Sequence, residues 1–111
     1  MSDTMTMTDA EILEQIKSEI AENRVFLYLK GTPDAPRCGF SNQVVQILNI
    51  AGAEFGSRDV LADPRIREVL SAHSDWPTIP QLFVDGALVG GCDITTEMYQ
   101  SGELQELLGS K

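Results

Sequence analysis

The apolar positions of this chain recur with two periods, one helical and one extended. Ile12, Leu13, Ile16 and Ile20 follow Thr8-Asp9-Ala10-Glu11 at helical spacing. That tetrad has the form of a capping box, in which a hydroxyl and a carboxylate three residues apart each satisfy the other's backbone N–H. A first helix is expected over 9–22, ending near Asn23. Val25-Phe26-Leu27-Tyr28-Leu29 is apolar throughout, as befits a strand covered on both faces, so Val25 to Lys30 is read as a central strand. Val44, Val45, Ile47, Leu48 and Ala51 mark the inner side of a second helix over 42–51, closed by Gly52. Ala53 to Val60 reads as a weaker strand interrupted by Gly56.

Asp63-Pro64 opens a third helix, the carboxylate as cap and the proline in the first turn, with Ile66, Val69 and Leu70 as its apolar face. Gln81–Val84 and Ala87–Gly90 are joined by Asp85-Gly86, the spacing of a hairpin with a two-residue turn. Asp93 is expected to cap a last helical segment carrying Ile94, Met98 and Tyr99, bent at Ser101-Gly102 before Leu104, Leu107 and Leu108. In the order α-β-α-β-α-β-β-α, a right-handed β-α-β crossover supplies two parallel strands and the hairpin two antiparallel ones. The expected class is α/β, a thioredoxin-like three-layer α/β/α arrangement with a four-stranded mixed sheet. It occupies residues 9–109, with 1–8 as a flexible tail. Such a fold does not fix an activity.

Composition narrows the field. A chain of 111 residues is one domain, and 42% hydrophobic residues is too many for a disordered one. No apolar run approaches the ~20 residues of a membrane helix. The first ten residues have neither the basic cluster nor the apolar core of a targeting segment, so a cytoplasmic location is expected. Two distant cysteines make no disulfide framework, which fits a reducing compartment. A net charge of −9 argues against nucleic-acid binding, which depends on neutralising phosphates, and reads as a solvated acidic surface.

The chemistry gathers at Lys30-Gly31-Thr32-Pro33-Asp34-Ala35-Pro36-Arg37-Cys38-Gly39-Phe40-Ser41. This stretch lies between a strand and a helix, so the Cys38 sulfur falls near the helix's first turn. Unpaired N–H groups and the helix dipole favour an anion there, which lowers a thiol's pKa. Lys30 and Arg37 add positive charge. A cysteine is often simply a buried structural residue, but a turn rich in Pro, Gly and charge is surface chemistry. Cys38-Gly39-Phe40-Ser41 is a C-x-x-C redox turn with serine in place of the second cysteine, so a reactive thiol is kept and its local disulfide partner is missing.

Two further turns belong with Cys38. Thr78-Ile79-Pro80, placed before the hairpin of such a fold, suggests a cis Ile79–Pro80 bond that turns the Ile79 backbone outward, where a peptide can pair as an added strand. The alternative is an ordinary trans loop. Gly90-Gly91-Cys92-Asp93 ends the hairpin and opens a helix, offering N–H groups to a carboxylate and Asp93 to an amine. A ligand with a thiol, an α-amino group and carboxylates at both ends matches these features, and glutathione is one. Cys92 is open to two readings, backbone support or a distant resolving thiol for Cys38. His73 is read as a surface or capping residue near a helix end and Trp76 as a packing anchor; Met1, Met5 and Met7 are assigned to the tail.

From Ile12 to Leu108 the chain resembles the monothiol glutaredoxins of the CGFS type. The likeness is carried by Lys30-Gly31-Thr32-Pro33, Pro36, Cys38-Gly39-Phe40-Ser41, Trp76-Pro77-Thr78-Ile79-Pro80-Gln81 and Gly90-Gly91-Cys92-Asp93-Ile94, in order and at family spacing. The resemblance implies that Lys30 and Arg67 hold the glycine carboxylate of glutathione. The Ile79 backbone, beside Pro80, would pair with its cysteinyl peptide, and Cys92 and Asp93 would hold the γ-glutamyl end, with Gly39 and Phe40 completing the cofactor-binding turn. It further implies that Cys38 ligates a 2Fe–2S cluster bridging two subunits, the bound glutathiones supplying the remaining thiolates. The apo-protein would be a monomer and the cluster-bound form a homodimer. Cluster storage and transfer to iron–sulfur apo-proteins, often with a BolA-type partner, is the activity implied. The long Gly31–Arg37 loop and Ser41 favour this carrier role. The alternative is a glutathione-dependent monothiol oxidoreductase that removes glutathione from mixed disulfides through Cys38.

Overall fold

In β1 (Val25–Leu29) every residue is buried, because the two faces of the strand feed two separate cores. Val25, Leu27 and Leu29 point to one face with Leu82 and Val84, while Phe26 and Tyr28 point to the other with Phe83. This period-two division explains the unbroken apolar run. The computed structural model describes residues 7–109.

The remaining elements are α1 (Asp9–Glu22), β2 (Gly31–Thr32), β3 (Ala35–Pro36), α2 (Gly39–Ile50) and β4 (Gly56–Asp59). A 3₁₀ turn (Val60–Ala62) leads into α3 (Pro64–Ser74), and β5 (Gln81–Val84), β6 (Ala87–Gly90), α4 (Cys92–Ser101) and α5 (Glu103–Gly109) complete the chain. The main sheet has the order β4-β1-β5-β6, with β1 parallel to β4 and the other pairs antiparallel. Helices α1 and α3 cover the Phe26–Tyr28 face through Ile12, Ile16, Ile20, Ile66 and Leu70. The opposite face receives Val44, Val45, Ile47 and Leu48 of α2 and Leu104 of α5. The thioredoxin-like three-layer arrangement is therefore present, and the capping box at Thr8 is formed in both directions.

Four details differ from the sequence reading. Helix α2 starts at Gly39 rather than 42, because the Asn42 N–H already donates to the Cys38 carbonyl at 2.9 Å. Strand β4 is confined to Gly56–Asp59, and Gly56 begins the pairing instead of interrupting it. A Cβ there would stand 2.8 Å from the Phe26 ring, so only glycine lets the two strands approach. Gly91, not Asp93, caps α4, since the Thr95 N–H donates to the Gly91 carbonyl; Asp93 falls in the first turn, where its charge suits the helix dipole. The expected bend is a full break, with Gly102 at φ +87° separating α4 from α5. Of the expected tail, residues 1–6 lie outside the described residues. Met7 packs against the α1–α3 core, and its carbonyl accepts from Arg65 at 2.6 Å.

Beneath α1 the fully buried Tyr28 hydroxyl donates to Glu19 at 2.7 Å, and Arg58 holds the other Glu19 oxygen at 3.0 Å. Burial, with Glu19 beside it, pushes the phenol far above its ordinary pKa. The group is a structural tie between α1 and the sheet edge, since a buried hydroxyl without a partner is costly.

Candidate functional site

Cys38 is the N-cap of α2, extended at φ −153° and ψ 140°, and half-buried. Burial works against its thiolate. The Ser41 and Phe40 N–H groups, the Ser41 hydroxyl and the Lys30 charge outweigh it, so the thiol titrates below its ordinary value. Ser41 is fully buried, and its oxygen also accepts from the Lys30 N–H at 3.1 Å. One hydroxyl thereby ties the end of β1 to the start of α2 while facing the thiol.

The loop between Lys30 and Cys38 is a small closed structure. β2 and β3 pair Gly31 with Pro36, and the Arg37 N–H donates to the Lys30 carbonyl at 2.8 Å. Asp59 anchors it from outside: one carboxylate oxygen accepts from the Gly31 N–H at 2.9 Å and from the Leu61 N–H at 2.8 Å. No local pattern in the sequence signals this role for Asp59, which depends on β4 lying beside β1.

Two hollows border this turn. One, of about 410 Å³, is lined by Phe40, Trp76, Thr78, Ile79, Pro80, Gly91, Cys92, Asp93 and Ile94. The other, of about 620 Å³, is lined among others by Lys30, Leu61, Arg67 and Pro77. The Trp76–Pro80 loop stands between them, with a cis Ile79–Pro80 bond as expected. The two cations expected at one ligand end thus share one hollow, and Asp93, Cys92 and the Ile79 backbone share the other. Cys38 lines neither, yet its charge is felt on both sides: Lys30 stabilises the thiolate, which in turn disfavours ionisation of Cys92. Arg67 is exposed and reaches the Pro77 carbonyl at 3.4 Å.

Cys92 is buried, its sulfur 3.9 Å from the Thr96 hydroxyl, which accepts from Gln43 of α2 at 2.8 Å. Burial raises its pKa despite the Thr96 contact, with Asp93 and Cys38 adding to the rise. The two thiols are therefore shifted in opposite directions. Alkylation followed against pH should show Cys38 reacting with a midpoint below that of a free cysteine and Cys92 with one above it. Lys30→Ala should move the Cys38 midpoint upward. Mass mapping of the labelled cysteines checks both, and a shared midpoint would count against this electrostatic picture.

Trp76 lines the smaller hollow, and its indole N–H is buried without a partner among the described residues. Gly91 is packed behind it: a Cβ there would lie 3.2 Å from the Pro80 carbonyl and 3.3 Å from the indole nitrogen. Gln81 enters the sequence reading as the end of a motif and the start of a hairpin strand, with no role given to its side chain. It is fully buried and collects the Trp76 and Thr78 carbonyls on its amide nitrogen at 2.9 and 3.2 Å. The available signal is a polar residue opening the otherwise apolar run Gln81-Leu82-Phe83-Val84.

Comparison with known proteins agrees with this geometry. The glutaredoxin family model matches residues 25–89. Glutaredoxin 4 of Escherichia coli K12 is 55% identical over 96 residues, covering 86% of this chain and 84% of its own length. The probable monothiol glutaredoxin 2 of Rickettsia prowazekii is 53% identical, with 92% and 95% covered. The solution structure of reduced poplar apo GrxS14 superposes with a TM-score of 0.75 at 48% identity, covering 84% of this chain and 85% of that one.

Proposed function

This chain belongs to the glutaredoxin family as a monothiol member, and on that premise we propose that it carries a 2Fe–2S cluster between two copies and passes it to iron–sulfur apo-proteins. The observation that carries the reading is Ser41, buried in the second cysteine's place with its hydroxyl on the Lys30 N–H. Cys38 then has no adjacent thiol with which to close a disulfide. Among the described residues no group of three His, Cys, Asp or Glu side chains can hold a metal. One chain offers one available thiolate, whereas a 2Fe–2S cluster takes four thiolates. The donor set fits if a second copy adds its Cys38 and each copy adds the thiol of one bound glutathione.

In this reading Lys30 and Arg67 receive the glycine carboxylate and the Ile79 backbone pairs with the cysteinyl peptide. The first N–H groups of α4, at Cys92 and Asp93, receive the γ-glutamyl carboxylate, with the Asp93 side chain on the α-amino group. Phe40, 61% exposed, and Leu61, 53% exposed, give the site an apolar rim of the kind a second copy or a BolA-type partner would cover. Reconstitution with iron, sulfide and glutathione should give a dimer with one labile cluster, while the apo-protein stays monomeric by gel filtration. Full cluster loading of a monomer without glutathione would overturn the reading.

The lowered Cys38 thiol also favours a second activity. Its thiolate attacks the glutathione sulfur of a mixed disulfide, the client thiolate leaves, and a second glutathione thiolate releases Cys38 as glutathione disulfide forms. Turnover of a glutathionylated peptide with glutathione as reductant tests it.

A further inference from the structure

We infer that Gln81 is a positioning residue, whose buried amide sets the Trp76–Pro80 loop so that the Ile79 backbone faces the peptide of glutathione. The inference rests on the glutathione reading of this hollow. Gln81 opens β5 opposite Tyr28 of β1, with no exposed surface. Its carbonyl oxygen accepts from the Ser74 hydroxyl at 2.8 Å. Its NH₂ group lies 2.9 Å from the Trp76 carbonyl, 3.2 Å from the Thr78 carbonyl and 3.5 Å from the Ser71 hydroxyl oxygen. Backbone carbonyls only accept, so the amide's orientation is fixed by its partners, and its two N–H bonds are used on the two carbonyls.

The consequence falls on the residue between this clamp and the strand. The Trp76 and Thr78 carbonyls are drawn inward by Gln81, and the Pro77 carbonyl is approached by Arg67. The Ile79 side chain is buried in the α1–α3 core. Its backbone N–H and carbonyl take no hydrogen bond within the described residues, while the residue lines the smaller hollow. A peptide adding to such an edge needs that N–H and carbonyl already turned toward it, and fixing them beforehand removes an ordering cost from binding. A hydrophobic residue at position 81 would fill the space but leave two part-buried carbonyls without the donor that draws them inward, and the loop would turn to find water.

Gln81→Met conserves volume and removes all the bonds. Gln81→Glu keeps the length and the Ser74 acceptor but loses the donors. Reduced glutathione, titrated by calorimetry and by the fluorescence of Trp76, the single tryptophan, should bind both variants on the order of tenfold more weakly than the parent protein near neutral pH. Burial against two carbonyl oxygens raises the pKa of the carboxyl in Gln81→Glu, so its protonated form donates again as pH falls. The affinity of that variant relative to the parent should therefore partly recover already above the ordinary carboxylate range. The Cys38 alkylation midpoint should not move, which separates loop positioning from a change at the thiol. Without ligand, hydrogen exchange of the Trp76 amide, whose N–H donates to the Ser71 carbonyl at 3.3 Å, should speed up in Gln81→Met while the core amides stay protected. Unchanged affinity in folded Gln81→Met, or unchanged exchange of its Trp76 amide, overturns the inference. If the parent protein itself fails to bind glutathione, the glutathione reading falls, and the exchange measurement alone decides whether Gln81 sets the loop.

Discussion

Cys38→Ser is expected to lose the cluster completely, and with it the dimer. The change replaces one atom and leaves the strand, the α2 N-terminus and Lys30 where they are. A serine hydroxyl does not ionise where the thiol, held below its ordinary value, gives up its proton to become a thiolate. Oxygen is also a poor ligand for soft iron–sulfur chemistry. Iron and sulfide analysis after reconstitution should fall from about one cluster per dimer to none, with charge-transfer absorption absent and a monomer by gel filtration; four thiolates are required and one from each chain is gone. Ser41→Ala is the informative contrast. It keeps the ligand but strips the Lys30 N–H of its buried acceptor, a loss of about 1–3 kcal/mol in stability. It also removes one of the bonds that favour the thiolate, so the Cys38 midpoint should rise while the cluster is retained. Equal cluster loss in the two variants would mean that the shape of the turn, not the sulfur, limits binding.

What can be read in the sequence and what cannot divide along a physical line. Helix α1, β1, the β5–β6 hairpin and the Asp63 cap announce themselves because period, capping chemistry and turn chemistry are local. The positions of Cys38, Ile79 and Asp93 follow from motifs at element ends, and the structure brings Lys30 beside Arg67 and Ile79 beside Asp93. The start of α2 is not legible, because Gly39-Phe40-Ser41 carries no helical apolar spacing; a buried Ser41 bonded to β1 extends the helix there. Gly56 looks like an interruption because its reason, the Phe26 ring across the ladder, is a contact between strands. Asp59 and Gln81 stay hidden for the same cause. Each is a polar side chain whose partners come from other elements, so pattern along the sequence has little to say about them.

Gly31→Ala is expected to be among the most damaging substitutions outside the reactive atoms themselves. Gly31 sits at φ +91°, where a side chain is strained at roughly 1–2 kcal/mol. Its Cβ would also stand 2.6 Å from the Ala35 carbonyl and 2.8 Å from the Arg37 nitrogen. Both are backbone atoms of the closed loop, so relief requires opening the β2–β3 pairing, and overpacking of this kind adds about 1–3 kcal/mol. A total of about 3 kcal/mol corresponds to a fall in Tm on the order of 12 °C or more for a domain of this size. Gly86→Ala is the matched control: φ is +83°, but nothing lies within 4 Å of the added carbon, so only the conformational part should be lost. Gly39→Ala has neither problem and should cost little. The same opening would move Lys30 relative to Cys38, because the Arg37 N–H holds the Lys30 carbonyl across the loop neck. The Cys38 alkylation midpoint should therefore rise toward that of a free thiol in Gly31→Ala and stay put in Gly86→Ala. Thermal unfolding and pH-dependent alkylation of the three variants test this together. If Gly31→Ala is no less stable than Gly86→Ala, the loop opens at little cost, and its closed form is not what holds the Lys30 charge near the thiolate.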